Sequence, residues 1–149
     1  MAPYSFAIEH TPTILRRLLD DVRPERYAER LAEDRFTLVE MVAHMADWED
    51  LFLDRMRLAY EQPGSTVLLY DEGQRAIEKR YAERDIQHEL DVFENRRRDT
   101  VDFLRNLAPD DWGRIFVHPE RGELTIQDQV TMLLGHDLYH VEQVTQYLR

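Results

Sequence analysis

His136 and His140 stand four residues apart in a segment with strong helical patterning. That spacing puts both rings on one side of a helix, about 6 Å apart at their Cβ atoms. Two neutral imidazoles so placed can grip one metal ion. At about 100° per residue, the pair does not fall at the centre of the apolar stripe. It lies on the flank, in a half-polar strip of Gln129, Leu133, His136, His140, Gln143 and Tyr147 that suits a cleft better than a solvated surface. Spacing alone does not decide the matter, because paired helical histidines without a metal are the commoner case. The zinc-protease pattern needs glutamate directly after the first histidine; Asp137 holds that place, so a protease is not read here.

His44 adds the third ring. It lies on a largely apolar strip with Met41, Trp48 and Leu51. Burying three protonated imidazoles together would be costly in desolvation and repulsion. A divalent ion removes that cost, because neutral imidazole is the ligand form. All-nitrogen ligation suits several metals; zinc is the first expectation and nickel the second. Three protein ligands leave a position open, as in catalytic sites. That position can hold a water whose pKa falls to about 7, or a small-molecule thiolate.

Hydrolysis also asks for a carboxylate to take the water proton. Asp47, one turn after His44, and Asp137 are the candidates. Asp137 lies in the apolar arc beside Ile126, Leu133 and Val144, where a carboxylate needs a partner. It either orients a ligand imidazole or pairs with Arg97, the polar residue at the missing step of another helical stripe. His10, His88 and His118 lack comparable partners and read as surface or loop residues. A non-catalytic bundle, stapled by its metal or sensing or storing a ligand, is the alternative.

Four helices must position these groups. Thr11-Pro12 reads as an N-cap and first turn, and Arg23-Pro24 ends that helix. Thr37-Leu38-Val39-Glu40 is a capping-box pattern opening a helix to about Tyr60. A third helix spans about Asp85 to Leu107, and Thr125 with Asp128 caps the fourth. Residues 66–84 read as an irregular crossover, with Val67-Leu68-Leu69-Tyr70 either extended or a helical turn and Ala76 to Arg84 a candidate helical stretch. Phe116 to Leu124 reads as a loop or small hairpin. The expected fold is all-α, one four-helix-bundle domain over residues 1–149, with a long crossover between the second and third helices.

The charge balance, 30 acidic against 19 basic residues for a net −11, opposes binding to nucleic acid or anionic lipid. Arg96-Arg97-Arg98 reads as a helix face paired with neighbours such as Glu94 and Asp99. There is no cysteine, which excludes disulfides, protein thiolate ligands to a metal and cysteine nucleophiles. No stretch approaches the ~20 apolar residues of a membrane span. Met1 to His10 lacks the pattern of a secretory signal, so a cytoplasmic location is the default expectation.

The segments Met41-Val42-Ala43-His44-Met45-Ala46-Asp47-Trp48-Glu49 and Leu134-Gly135-His136-Asp137-Leu138-Tyr139-His140-Val141-Glu142-Gln143 resemble the signature helices of the DinB/YfiT-like superfamily. The resemblance extends over nearly the whole chain in helix order. It implies a four-helix bundle with a three-histidine metal site, one ligand from the second helix (His44) and two from the last (His136 and His140). It implies a metal-dependent hydrolase, or a transferase acting with a low-molecular-weight thiol, and relatives include an isomerase that uses mycothiol. A homodimer is expected on the same ground.

Overall fold

Three long helices begin where a short polar side chain can accept from the first free backbone N–H groups. A computed structural model describes residues 1–148. Its elements are α1 (Thr11–Asp20), α2 (Leu38–Glu61), α3 (Glu72–Glu78), α4 (Ile86–Arg105), a hairpin of β1 (Ile115–His118) and β2 (Gly122–Thr125), and α5 (Ile126–Thr145). Thr37, Asp85 and Thr125 cap α2, α4 and α5. At α2 the box is reciprocal: Thr37 Oγ1 accepts from the Glu40 N–H at 3.2 Å, and Glu40 Oε1 accepts from the Thr37 N–H at 3.0 Å. Thr37→Ala is expected to remove about 1 kcal/mol and lower the thermal midpoint by about 2–4 °C, measurable by a circular dichroism melt.

The start of α1 differs from expectation. A 3-10 turn at Ser5–His10 runs straight into it, and the Thr11 N–H already has the Ile8 carbonyl as acceptor. No side-chain cap forms there, and the Thr11 hydroxyl instead donates to Asp137 in the core. The helix also ends sooner, at Asp20, and Pro24 opens a short 3-10 turn.

The long helices α1, α2, α4 and α5 build the expected bundle, with α2 and α4 its most extensive pair. Two apolar regions fill it. One gathers Leu15, Leu19, Val42, Phe93 and Val144 at one end; the other gathers Met56, Leu104, Phe116, Ile126 and Leu133 at the opposite end. Between them lies a buried charge cluster of Glu49 from α2, Arg97 from α4 and Asp137 from α5.

The crossover from α2 to α4 is more ordered than its sequence suggests. Thr66 pairs in parallel with Val117, and the Val67 N–H donates to the Val117 carbonyl at 3.0 Å. The segment is therefore extended there, then forms α3 and a 3-10 turn at Tyr81–Glu83. Asp71 caps α3 through the Gln74 N–H at 2.7 Å. The hairpin takes the second of its two expected forms. Gly122 closes it at φ +79°, a left-handed conformation that favours glycine. Among the described residues, no helix is long and apolar enough to cross a membrane.

Candidate metal centre

α2 carries His44 and α5 carries His136 and His140, and the packing of the two helices brings the rings together. His136 Nε2 lies 3.0 Å from His44 Nε2 and 3.2 Å from His140 Nε2. Three nitrogens bound tetrahedrally to one ion at about 2.0–2.1 Å would stand about 3.3–3.4 Å apart. The observed spacing fits such an ion.

The His140 tautomer fits as well. Gln143 Nε2 donates to the Phe36 carbonyl at 3.0 Å, which turns its Oε1 toward His140 Nδ1 at 3.1 Å. His140 must therefore carry its proton on Nδ1 and present a bare Nε2. Gln143 did not stand out in the sequence beyond its place on the half-polar strip. His44 Nδ1 has no hydrogen-bond partner; its ring is held by Phe36, Trp48 and Tyr81.

Burial is the main reason all three imidazoles lose basicity, and mutual repulsion adds to it for His44 and His136. His44 falls well below the usual range and His136 falls to about 3. His140 also falls, although Gln143 and the Asp137 charge oppose the shift. All three are thus neutral at pH 7 and ready to ligate. The unfolded chain protonates them near pH 6.5, so it binds more protons than the metal-free fold between about 6.5 and 3. Stability of chelator-treated protein is expected to be full above pH 6.5 and to decline as the pH falls toward 3. Thermal melts across that range test this.

The two candidate carboxylates are engaged elsewhere. Asp47 accepts from Arg75 Nε at 2.5 Å and Nη2 at 2.9 Å, and from the Tyr81 hydroxyl. Burial alone would push its carboxyl up, but these donors outweigh burial and hold it below the usual value. Asp47 therefore ties the crossover to α2. Asp137 accepts from Arg97 at 2.6 and 2.9 Å, which is the ion-pair alternative and not the imidazole one. Glu49, missed in the sequence, completes the cluster: Arg97 donates to it at 2.7 and 2.9 Å.

His136 also lines a cavity of about 560 Å³, with Trp48 and Phe52 on the α2 side. The reading of His118 as a surface or loop residue is corrected. It sits at the end of β1, is buried, and lines the same cavity. The alternation of β1 turns Phe116 and His118 inward.

Comparison with known proteins agrees with this geometry. Residues 7–144 match the profile of the DinB superfamily. Two curated relatives are proposed metal-dependent hydrolases. One, from Oceanobacillus iheyensis, is 26% identical over 93% of this chain and 80% of its own length. The other, from Bacillus mycoides, is 24% identical over 93% and 79%. Among solved structures, YfiT from Bacillus subtilis, a proposed metal-dependent hydrolase with an unusual four-helix bundle topology, superposes with a TM-score of 0.90. It is 18% identical, and the match covers 99% of this chain and 87% of that one. The mycothiol-dependent maleylpyruvate isomerase superposes with a TM-score of 0.76 at 13% identity, over 94% of this chain and 59% of that one.

Proposed function

This chain belongs to the DinB superfamily, and on that premise we propose that it is a metal-dependent hydrolase of a small molecule. The observation that carries the reading is the convergence of three neutral imidazoles beside a cavity that one of them, His136, lines. His44, His136 and His140 would hold the ion through Nε2, zinc first and nickel second. When bound, such an ion supplies a water of pKa about 7 as nucleophile. The chain's own residues prepare the place. Gln143 holds the His140 tautomer, and Trp48 and Phe52 give the cavity an apolar wall beside His136. Asp47 and Asp137 act as positioning groups, Asp47 by docking Arg75 and Tyr81 of the crossover, and Asp137 by fixing α5 to α4.

A second reading is thiol transfer, in which a small-molecule thiolate takes the open position. Its support is the shared fold with the mycothiol-dependent isomerase and a cavity roomy enough for a thiol and its carrier.

The test is elemental mass spectrometry on untagged protein, followed by assays with esters, amides and thiol adducts. About one ion per chain with turnover of an ester or amide supports hydrolysis. Turnover of thiol adducts alone supports transfer. A chain that takes up no metal after incubation with zinc or nickel sinks both.

A further inference from the structure

The floor of the cavity beside His136 is built from polar groups that have not found partners. Gln129 is 1% exposed, lines the cavity, and leaves both its Nε2 donor and its Oε1 acceptor unpartnered. Trp48 Nε1 is likewise buried and unpartnered. Arg55 is 8% exposed, and its one hydrogen bond among the described residues is from Nη2 to the Leu68 carbonyl at 3.3 Å. Among the described residues no carboxylate pairs with it, in a chain whose net charge is −11. Buried charges are ordinarily paired, and buried amides ordinarily hydrogen-bonded.

A second cation stands close by. Arg121 lines the same cavity, and the charges of Arg55 and Arg121 both act on His118, lowering its pKa after the larger effect of burial. His118 Nδ1 accepts the N–H groups of Glu120 and Arg121, each at 3.1 Å. Its proton therefore sits on Nε2, where the neutral ring is a donor. The acids on this cavity are at the exposed rim: Asp71, Glu72 and Glu120. Asp71 is occupied capping α3, and none of the three is paired with either arginine.

We infer that this cavity is the substrate site and that it selects a small molecule bearing a carboxylate, seated on Arg55, Arg121 and His118, with an amide set against Gln129 toward the histidine cluster. The carboxylate supplies the missing partner of the buried guanidinium. The amide both accepts and donates, as the two unpartnered atoms of Gln129 require. Gln129 precedes His136 by two turns of α5, about 10 Å, so a bond cleaved at the histidines lies beyond the amide that Gln129 holds, and the substrate extends past that amide by roughly this length. The inference deepens the hydrolase reading by naming the recognised part of its substrate, an amide acid, and it rests on that reading for the reacting end alone.

The probes are N-acetyl-ω-amino acids of increasing chain length and their uncharged primary-amide counterparts, titrated calorimetrically into the protein as isolated and after chelation. The best-fitting acid is expected to bind roughly tenfold to a hundredfold tighter than its amide, with the preference kept after chelation. Arg55→Met should erase the preference with metal content unchanged. Arg55→Lys, which keeps the charge, should retain part of it. Gln129→Leu should weaken acid and amide alike while leaving the ligand-free melting temperature equal or higher, because a buried amide without partners has been removed. Circular dichroism of each variant separates a lost site from a lost fold. The inference is overturned if no acid saturates at millimolar concentration, if acids and amides bind alike, or if the preference survives Arg55→Met. A parent without metal that still prefers acids would sink the hydrolase reading and leave the carboxylate site standing.

Discussion

The variant with alanine at His44, His136 and His140 together is expected to take up no zinc or nickel and to fall to background in any hydrolytic or transfer assay. The three Nε2 atoms are the cluster that offers converging ligand atoms among the described residues. No cysteine can substitute for them. The loss should also show in stability. An ion present at a hundred times its dissociation constant stabilises the fold by about 2.7 kcal/mol, or about 5–10 °C for a chain of this size. The parent should gain that shift on adding metal, and the triple variant none. Gln143→Leu should fall between them. It leaves all three ligands in place but removes the group that fixes the His140 tautomer, which is expected to weaken affinity about 10–100-fold. Elemental analysis with melts at fixed free-metal concentration reads the whole series. A triple variant that binds metal as the parent does would place the site elsewhere.

The same residues show why the sequence was informative at some places and silent at others. The three histidines could be read because helical periodicity fixes direction, and three rings turned inward on two helices share one economical explanation. The caps at Thr37 and Thr125 could be read because capping is a local interaction, closed within four residues. The second layer of the site is not local. Gln143 matters through its bond to Phe36, 107 positions away in the chain, and nothing in its neighbourhood announces that. His118 was misread for a related reason. No partner for it stands at helical spacing in the sequence, whereas pairing of β1 with β2, and of Val117 with the distant Thr66, fixes the strand whose alternation turns His118 inward. Glu49 did leave a trace. Met45, Glu49, Leu53 and Met56 follow one another at helical spacing, and an acid inside that stripe is the natural counterpart of Arg97.

Arg97→Ala is expected to cause the largest loss of stability, about 3–5 kcal/mol, which lowers the melting temperature by about 6–20 °C. Arg97 is 2% exposed and all of its N–H groups are used, on Glu49, on Asp137 and on the Ile8 carbonyl. Its Cζ also lies 4.9 Å from the centre of the Phe93 ring. Removing it leaves two carboxylates of like charge buried at the middle of the bundle, with the Thr11 and Thr100 hydroxyls as their remaining donors. Arg97→Lys should recover only part of the loss, because an ammonium cannot make two bidentate pairs at once. The deficit should depend on pH in a defined direction. Unpaired and buried, Glu49 and Asp137 would have folded-state pKa values raised above those of the unfolded chain, so the folded variant would bind more protons than its unfolded state. Its stability relative to the parent therefore improves as the pH falls from 7 toward 5. The comparison is made on metal-free protein. The Arg97 charge is one of the causes that lower His136, so its loss eases the acid sensitivity of that ring and acts in the same direction. Removing both acids as well, with apolar residues of similar volume, should restore most of the lost stability, because the penalty comes from the uncompensated charges. A deficit that is flat with pH, or that persists in the charge-free combination, would mean that Arg97 holds α2, α4 and α5 together by packing and not by neutralising the two carboxylates that face it.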